Sequence, residues 1–203
     1  MKQFKARASE AGKLMVQPRS KSETLSETTK TYLQDWLKEN IYGYRKEIKS
    51  KYLDKGIIME DEAISKTIEW LDLPFVLKNE QSFEDEFFTG TPDIVTDREV
   101  LDIKCSWDAF SFPLFEDEIP TKDYFYQLQV YMHLTGRKSA RLVYVLTNTP
   151  ESITWETPHD YSELDKRYRI KTFEITYDAA VIEALKAKVE DARNYIHSLS
   201  KYL

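Results

Sequence analysis

The spacing of apolar side chains changes along the chain, and each change marks a predicted element. Residues 1–21 carry no periodicity, and Gln17-Pro18-Arg19-Ser20-Lys21 reads as a loop. From Ser26-Glu27-Thr28 a helical spacing runs through Tyr32, Trp36 and Leu37 to Asn40, since side chains three and four apart share a helix face. A second helix is predicted over about 42–53 and, after a break at Gly56, a third over about 57–72, ending before Pro74. Residues 75–77, 83–89, 94–95 and 100–105 are short β-rich runs between turn residues, and Thr96-Asp97-Arg98 forms a tight reversal joining the last two. Helical spacing returns over 122–135 and ends at Gly136, 141–146 is a strand with an apolar centre, and 151–168 is polar without a clear period. An edge strand is expected over 168–175. From Asp178, Ile182, Leu185, Val189, Ile196, Leu199 and Leu203 trace one face of a long terminal helix. This order predicts the α/β class, one domain over 1–203 with a central mixed β-sheet flanked by helices. Its regions are a basic helical segment (1–55), a core (56–147) and the terminal helix (178–203).

Composition narrows the class. Hydrophobic residues make up 41% and charged residues 32%, with 5 Gly and 7 Pro, which excludes collagen-like and wholly disordered chains. No apolar run approaches the roughly 18 residues a membrane span needs, and Met1 to Arg7 lacks the apolar segment of a secretory signal. A soluble, cytoplasmic protein with no membrane partner is expected. A single cysteine, Cys105, excludes an intramolecular disulfide and a Cys-built zinc or iron–sulfur site.

The net charge of −6 is unevenly spread. Residues 1–55 hold 13 Lys/Arg against 7 Asp/Glu, whereas 56–123 hold 5 against 18. A basic arm feeding an acidic centre suits a protein that attracts a polyanion at its rim and holds divalent cations within. A solvated acidic surface with a basic tail fits the same numbers.

The sharpest chemical signal is Gly90-Thr91-Pro92-Asp93-Ile94-Val95 followed, after the reversal, by Leu101-Asp102-Ile103-Lys104-Cys105. Asp102 and Lys104 are i, i+2 in an apolar strand and share a face. Two ionisable groups there are costly unless paired or metal-bound. The hairpin returns Asp93 to the side of Asp102, and two carboxylates with a backbone carbonyl suit Mg²⁺ or Mn²⁺. Lys104 beside them suits activation of water or neutralisation of phosphate charge. A structural Asp–Lys ion pair is the alternative. On the third helix, Ile57, Glu60, Ile64, Ile68 and Leu71 fall on one stripe, so Glu60 interrupts a core-facing seam, while Glu62 faces solvent. A metal shared with Asp93 and Asp102 would partner Glu60, and partial exposure near the helix start is the other reading. Gln127 shares a helix face with Tyr124, Leu128, Tyr131 and Leu134, where a buried amide must bond to something. Gln129 points elsewhere. His133, His159 and His197 assemble no metal or triad site. Cys105 reads as a core residue, and Trp36, Trp70, Trp107 and Trp155 as packing, with base stacking the alternative for Trp107.

Taken in order, Gly56-xxx-Glu60, Gly90-Thr91-Pro92-Asp93, Asp102-x-Lys104 and Tyr124-xx-Gln127-x-Gln129 resemble the PD-(D/E)xK nuclease superfamily. The likeness is to its lambda-exonuclease-like branch of phage and prophage recombination nucleases, and the motifs span residues 56–136. The resemblance implies a restriction-endonuclease-like core and divalent-metal-dependent hydrolysis of DNA, with resection of duplex ends from 5′ to 3′. It implies metal ligation by Asp93, Asp102 and the Ile103 carbonyl, Glu60 near a second metal, Lys104 as catalytic lysine, and support from Gln127 and Tyr124, the latter also toward DNA. The segment Arg7-Ala8-Ser9-Glu10-Ala11-Gly12 resembles the family's leading segment, which assigns Ser9, and with it Arg7, to the DNA 5′-phosphate. A ring-like trimer and a single-strand annealing recombinase as partner are further implications; the sequence itself leaves monomer and dimer open. The D-x-K motif begins with Asp102 where Glu is common in this branch, and the four-cysteine set of the iron–sulfur branch is absent. An inactive DNA-binding or assembly protein on the same fold would have an incomplete site, and a site-specific endonuclease would need an added recognition segment; neither feature is evident.

Overall fold

The computed structural model describes residues 2–47, 50–73, 75–154 and 158–202. Ile48, Lys49, Pro74, Trp155 and Leu203, on which some of the expectations above fall, lie outside the described residues.

The chain opens with strand β1 (Ala6–Arg7), a 3-10 turn (Ala8–Glu10) and helix α1 (Ala11–Leu14), followed by α2 (Glu27–Tyr42) and α3 (Lys51–Trp70). Strands β2 (Phe83–Glu84), β3 (Phe88–Gly90), β4 (Ile94–Val95) and β5 (Glu99–Cys105) lead to α4 (Lys122–Thr135). Strands β6 (Ser139–Val145) and β7 (Ile170–Thr176) and helix α5 (Ala179–Ser198) follow. The four-stranded sheet runs β4-β5-β6-β7, with β5 and β6 parallel and both outer pairs antiparallel. A smaller sheet runs β1-β3-β2, with β1 parallel to β3. The molecule is therefore α/β with mixed sheets flanked by helices, as the sequence predicts, although the strands divide into two sheets.

The central pair β5–β6 is covered on both faces, which explains its near-continuous apolar runs. Leu101, Val143 and Val145 pack beneath Ala63 and Ile64 of α3. On the other face Val100, Ala140, Leu142 and Phe173 pack with Leu128 and Met132 of α4 and with Ile182, Leu185 and Val189 of α5. Helix α4 touches β3 and α1 as well as β5 and β6, and so is buried throughout Gln127 to Met132.

Four expectations are corrected. Residues 4–14 are structured despite lacking a period: Phe4, Ala6, Ala8, Ala11 and Leu14 are buried, and Phe4 meets Trp36 edge-on at 5.1 Å, whereas 17–21 is the loop that the sequence predicts. Small alanines alternating with charged residues bury well but leave no strong apolar period. The helix expected over 42–53 and the break at Gly56 are replaced by α3, which starts at Lys51 and continues through Gly56. Gly43 at φ 76° ends α2 in the left-handed conformation, and it was the stop signal. Residues 75–77 are not a strand. Phe75 lies at φ 61°, outside the extended region, and Phe75 and Leu77 are exposed; Asn79, further on, donates its N–H to the Asp93 carbonyl at 2.7 Å. The buried stripe of α3 is Lys55, Met59, Ala63, Ile64 and Thr67, with Ile57 exposed, so Glu60 borders the core seam rather than interrupting it. Among the described residues no helix is long and apolar enough to cross a membrane.

Candidate active site

The β4–β5 reversal is closed by Thr96, whose N–H donates to the Glu99 carbonyl at 2.9 Å and whose Oγ1 accepts from Glu99 N at 2.9 Å. Ile94 lies opposite Leu101, so Asp93 is carried to the level of Asp102 and Ile103. There Asp93 Oδ2 accepts the Ile103 N–H at 2.6 Å. Burial, reinforced by the charge of Asp102, pushes the Asp93 carboxyl up to about 7, against the opposing pull of the Ile103 N–H and Lys104.

Asp102 is 2% exposed, because its face of β5 is roofed by α4. Its Oδ1 accepts from Gln127 Nε2 at 2.9 Å. Its Oδ2 pairs with Lys104 Nζ at 2.8 Å. Burial alone would lower the pKa of Lys104; Asp102, Tyr124 and Asp93 outweigh it, so the ammonium holds its proton above the ordinary lysine value. Its Nζ lies 4.8 Å from the centre of the Tyr124 ring. Asp93, Asp102, Lys104, Gln127 and Tyr124 are thus brought together. Gln129 instead bonds the Thr176 carbonyl and the Asp178 N–H, both at 2.8 Å, and ties α4 to the β7–α5 junction.

Glu60 stands apart from this cluster. Its side chain is 45% exposed and pairs with Lys78 Nζ at 2.9 Å, although its charge still contributes to raising Asp93.

Tyr131, which helical spacing places among apolar neighbours, extends the site. Its hydroxyl accepts from Gln127 Nε2 at 3.0 Å and donates to the Thr91 carbonyl at 3.2 Å. A Cβ on Gly90 would lie 2.7 Å from the Tyr131 ring and 2.9 Å from Ala8, so glycine permits the close approach of β3 to α4. Beyond Tyr131 opens a 300 Å³ cavity lined by Arg7, Ser9, Ser82, Thr89 and Thr91. Arg7 and Ser9 therefore sit together, next to the cluster rather than in it, with the Arg7 guanidinium 3.9 Å from Glu39. Thr91 belongs to the Gly90-Thr91-Pro92-Asp93 motif, whereas Ser82, Thr89 and Lys78 carried no signal in the sequence.

The donor set can be tested against a divalent cation. Among the described residues no three His, Cys, Asp or Glu side chains form a cage. Mg²⁺, however, is commonly held by one or two carboxylates with waters and substrate phosphate. The buried Asp102 and the half-buried Asp93 beside it, its pKa raised in part by the charge of Asp102, fit that pattern.

No family model and no curated protein matches the chain. Solved structures do. A phage-related exonuclease from Haemophilus somnus 129PT superposes with a TM-score of 0.88 and 31% identity, over 99% of this chain and 97% of that one. The alkaline exonuclease LHK-Exo from Laribacter hongkongensis, and the same enzyme in complex with dAMP, superpose with TM-scores of 0.72 and 18% identity, over 98% of this chain and 90% of theirs. At that identity they speak to the fold. With the order of its motifs, the fold that carries them and an identity of 31% across nearly the whole length of the Haemophilus somnus protein, the chain belongs to the lambda-exonuclease-like branch of phage-related exonucleases in the PD-(D/E)xK superfamily.

Proposed function

We propose that the protein hydrolyses phosphodiester bonds at the ends of duplex DNA, from 5′ to 3′, with Mg²⁺ or Mn²⁺ held by Asp93, Asp102 and the Ile103 carbonyl. The observation that carries this reading is the buried carboxylate of Asp102, fixed by Gln127 through one oxygen and facing the Lys104 ammonium with the other, with the Asp93 carboxylate brought beside it by the β4–β5 hairpin. Two like charges held that close, that of Asp102 raising the cost of ionising Asp93, are relieved by a shared cation. When bound, the ion supplies Lewis acidity toward a phosphate oxygen and lowers the pKa of water. Lys104, its proton held by its acidic neighbours, contributes positive charge where the phosphate gains negative charge in the transition state. Gln127 and Tyr131 keep Asp102 in one orientation, and the Tyr124 ring backs the Lys104 ammonium. Glu60, at the rim, serves a second metal once its pairing with Lys78 is exchanged.

Ser9 and Arg7, in the cavity beyond Tyr131, hold the 5′-phosphate through charge-assisted hydrogen bonds. LHK-Exo is known in complex with dAMP, a deoxynucleoside monophosphate of the kind released by stepwise digestion. For assembly as a ring-like trimer and for partnership with a single-strand annealing recombinase, the support is family resemblance.

Digestion of linear and covalently closed circular duplex, with Mg²⁺ present or chelated, tests this reading. Linear DNA should be degraded only with the metal, and circles should persist. Equal cleavage of both would replace end resection by endonuclease activity.

A further inference from the structure

Where β5 leaves the active site, the chain presents aromatic rings that the hydrolytic cluster does not use. Trp107 lies three residues beyond Lys104 and meets Tyr52, on the first turn of α3, edge-on at 5.4 Å and 75°. Lys51 Nζ sits 4.7 Å from the Trp107 ring centre and 5.5 Å from that of Tyr52. Tyr52 is 60% exposed, and Phe110, on the same loop as Trp107, is 99% exposed.

These rings are held, not trailing. The fully buried Lys55 donates from Nζ to the Trp107 carbonyl at 2.8 Å, and Thr149 Oγ1 donates to the same carbonyl at 3.0 Å. Asp108 Oδ1 accepts the N–H groups of Phe110 at 3.1 Å and Ser111 at 2.8 Å, while Ala109 N–H donates to the Tyr161 hydroxyl at 3.1 Å. One Asp108 oxygen is thus committed to the turn that displays Phe110. Asp54 lies one turn along α3 and lines a cavity with Lys51 and Glu151, and Glu116, Asp117 and Glu118 follow later in the loop.

We propose that Lys51, Tyr52, Trp107 and Phe110 form a stacking surface for an unpaired DNA strand, separate from the carboxylate cluster. Exposed ring faces suit bases that are already unstacked, since bases within a duplex offer no free face, and the ammonium over the rings supplies charge complementary to the strand's phosphates. The loop that bears Trp107 and Phe110 joins the strand carrying Asp102 and Lys104 to the helix carrying Tyr124 and Gln127, so the surface is tied in the chain to both elements of the site. The inference rests on the reading of that site as a DNA nuclease.

The test is the affinity of the full chain for labelled oligo(dT) and for a blunt duplex, both in chelator, for the wild type, Phe110→Ala, Tyr52→Ala and the conservative Phe110→Trp. Phe110 is exposed, so its replacement leaves the core intact. Oligo(dT) affinity should fall by about tenfold in each alanine variant, with Phe110→Trp retaining it and duplex affinity unchanged. Tryptophan fluorescence of the wild type should be quenched by oligo(dT), and Trp107→Phe should lose most of that quenching while keeping the affinity. Wild-type affinity in both alanine variants, or equal losses for oligo(dT) and duplex, would overturn the proposal. A wild type that fails to digest DNA in Mg²⁺ yet shows the selective losses would overturn the nuclease reading and leave the stacking surface standing.

Discussion

At the scale of the residue, two buried groups have measurable consequences. Burial lowers the pKa of Lys55 from 10.5 to about 8, against the opposing charges of Cys105, Asp108 and Glu62. Between those values the unfolded chain binds the proton more tightly than the folded chain. The cost is therefore full below about pH 8, and stability rises with pH as it is relieved toward 10.5. Denaturation midpoints at about pH 7.5 and pH 10 should show the wild type gaining on Lys55→Met by up to ~3 kcal/mol. Identical pH dependence of the two would contradict the burial of a charged Lys55. The second group is the carboxylate pair: millimolar Mg²⁺ should raise the melting temperature of the wild type by binding the folded state alone, and should leave that of Asp93→Asn nearly unmoved. Asp93, Asp102, Lys104 and Gln127 were legible in the sequence, because a polar side chain on an apolar face demands a partner. Lys55 and Tyr131 were not. A lysine reads as surface until the three oxygens around it come together from Trp107, Thr147 and Thr149, and a tyrosine among leucines reads as packing.

At the scale of the element, long periodic segments and capped ends matched the chain well. Residues 122–135 bear both a Thr121 cap and the Gly136 stop, and α4 occupies that span. Failures fell where burial depends on partners distant in sequence. β1 is a strand because it pairs with Phe88 and Thr89, whereas residues 75–77 pair with no described strand, and Phe75 and Leu77 stay exposed. Removing residues 2–14 should accordingly abolish the cooperative unfolding transition in calorimetry, since it deletes five buried side chains and an edge of the smaller sheet. A truncated chain that melts like the full one and merely loses DNA affinity would restore the picture of a loose basic arm. Gly90→Ala should cost ~2 kcal/mol through overpacking against Tyr131 and Ala8. It should also lower turnover beyond what the lost folded fraction explains, because Tyr131 supports Gln127. Unchanged stability and turnover would remove Tyr131 from the account.

At the scale of the whole molecule, the basic excess of residues 1–55 is only partly drawn into the fold. Lys5 pairs with Glu84 and Lys55 is buried, whereas Lys30 with Glu23 and Glu27 and Lys46 with Asp35 join charges of the same region and leave its excess in place. A protein with a net charge of −6 has little general attraction for a duplex, so the proposed recognition is concentrated at the basic N-terminal region, the site with its neighbouring cavity, and the aromatic surface. The proposed hydrolysis depends on the carboxylates of Asp93 and Asp102 themselves, and Asp102→Asn tests this most directly, since the amide keeps the shape while removing the charge a hard cation requires. Release of nucleotides from linear duplex in Mg²⁺, measured beside a thermal melt, should fall about a hundred- to a thousandfold, the scale expected when a group stabilising transition-state charge is lost, with the fold intact. Wild-type turnover by a folded Asp102→Asn protein would contradict the assignment of the active site.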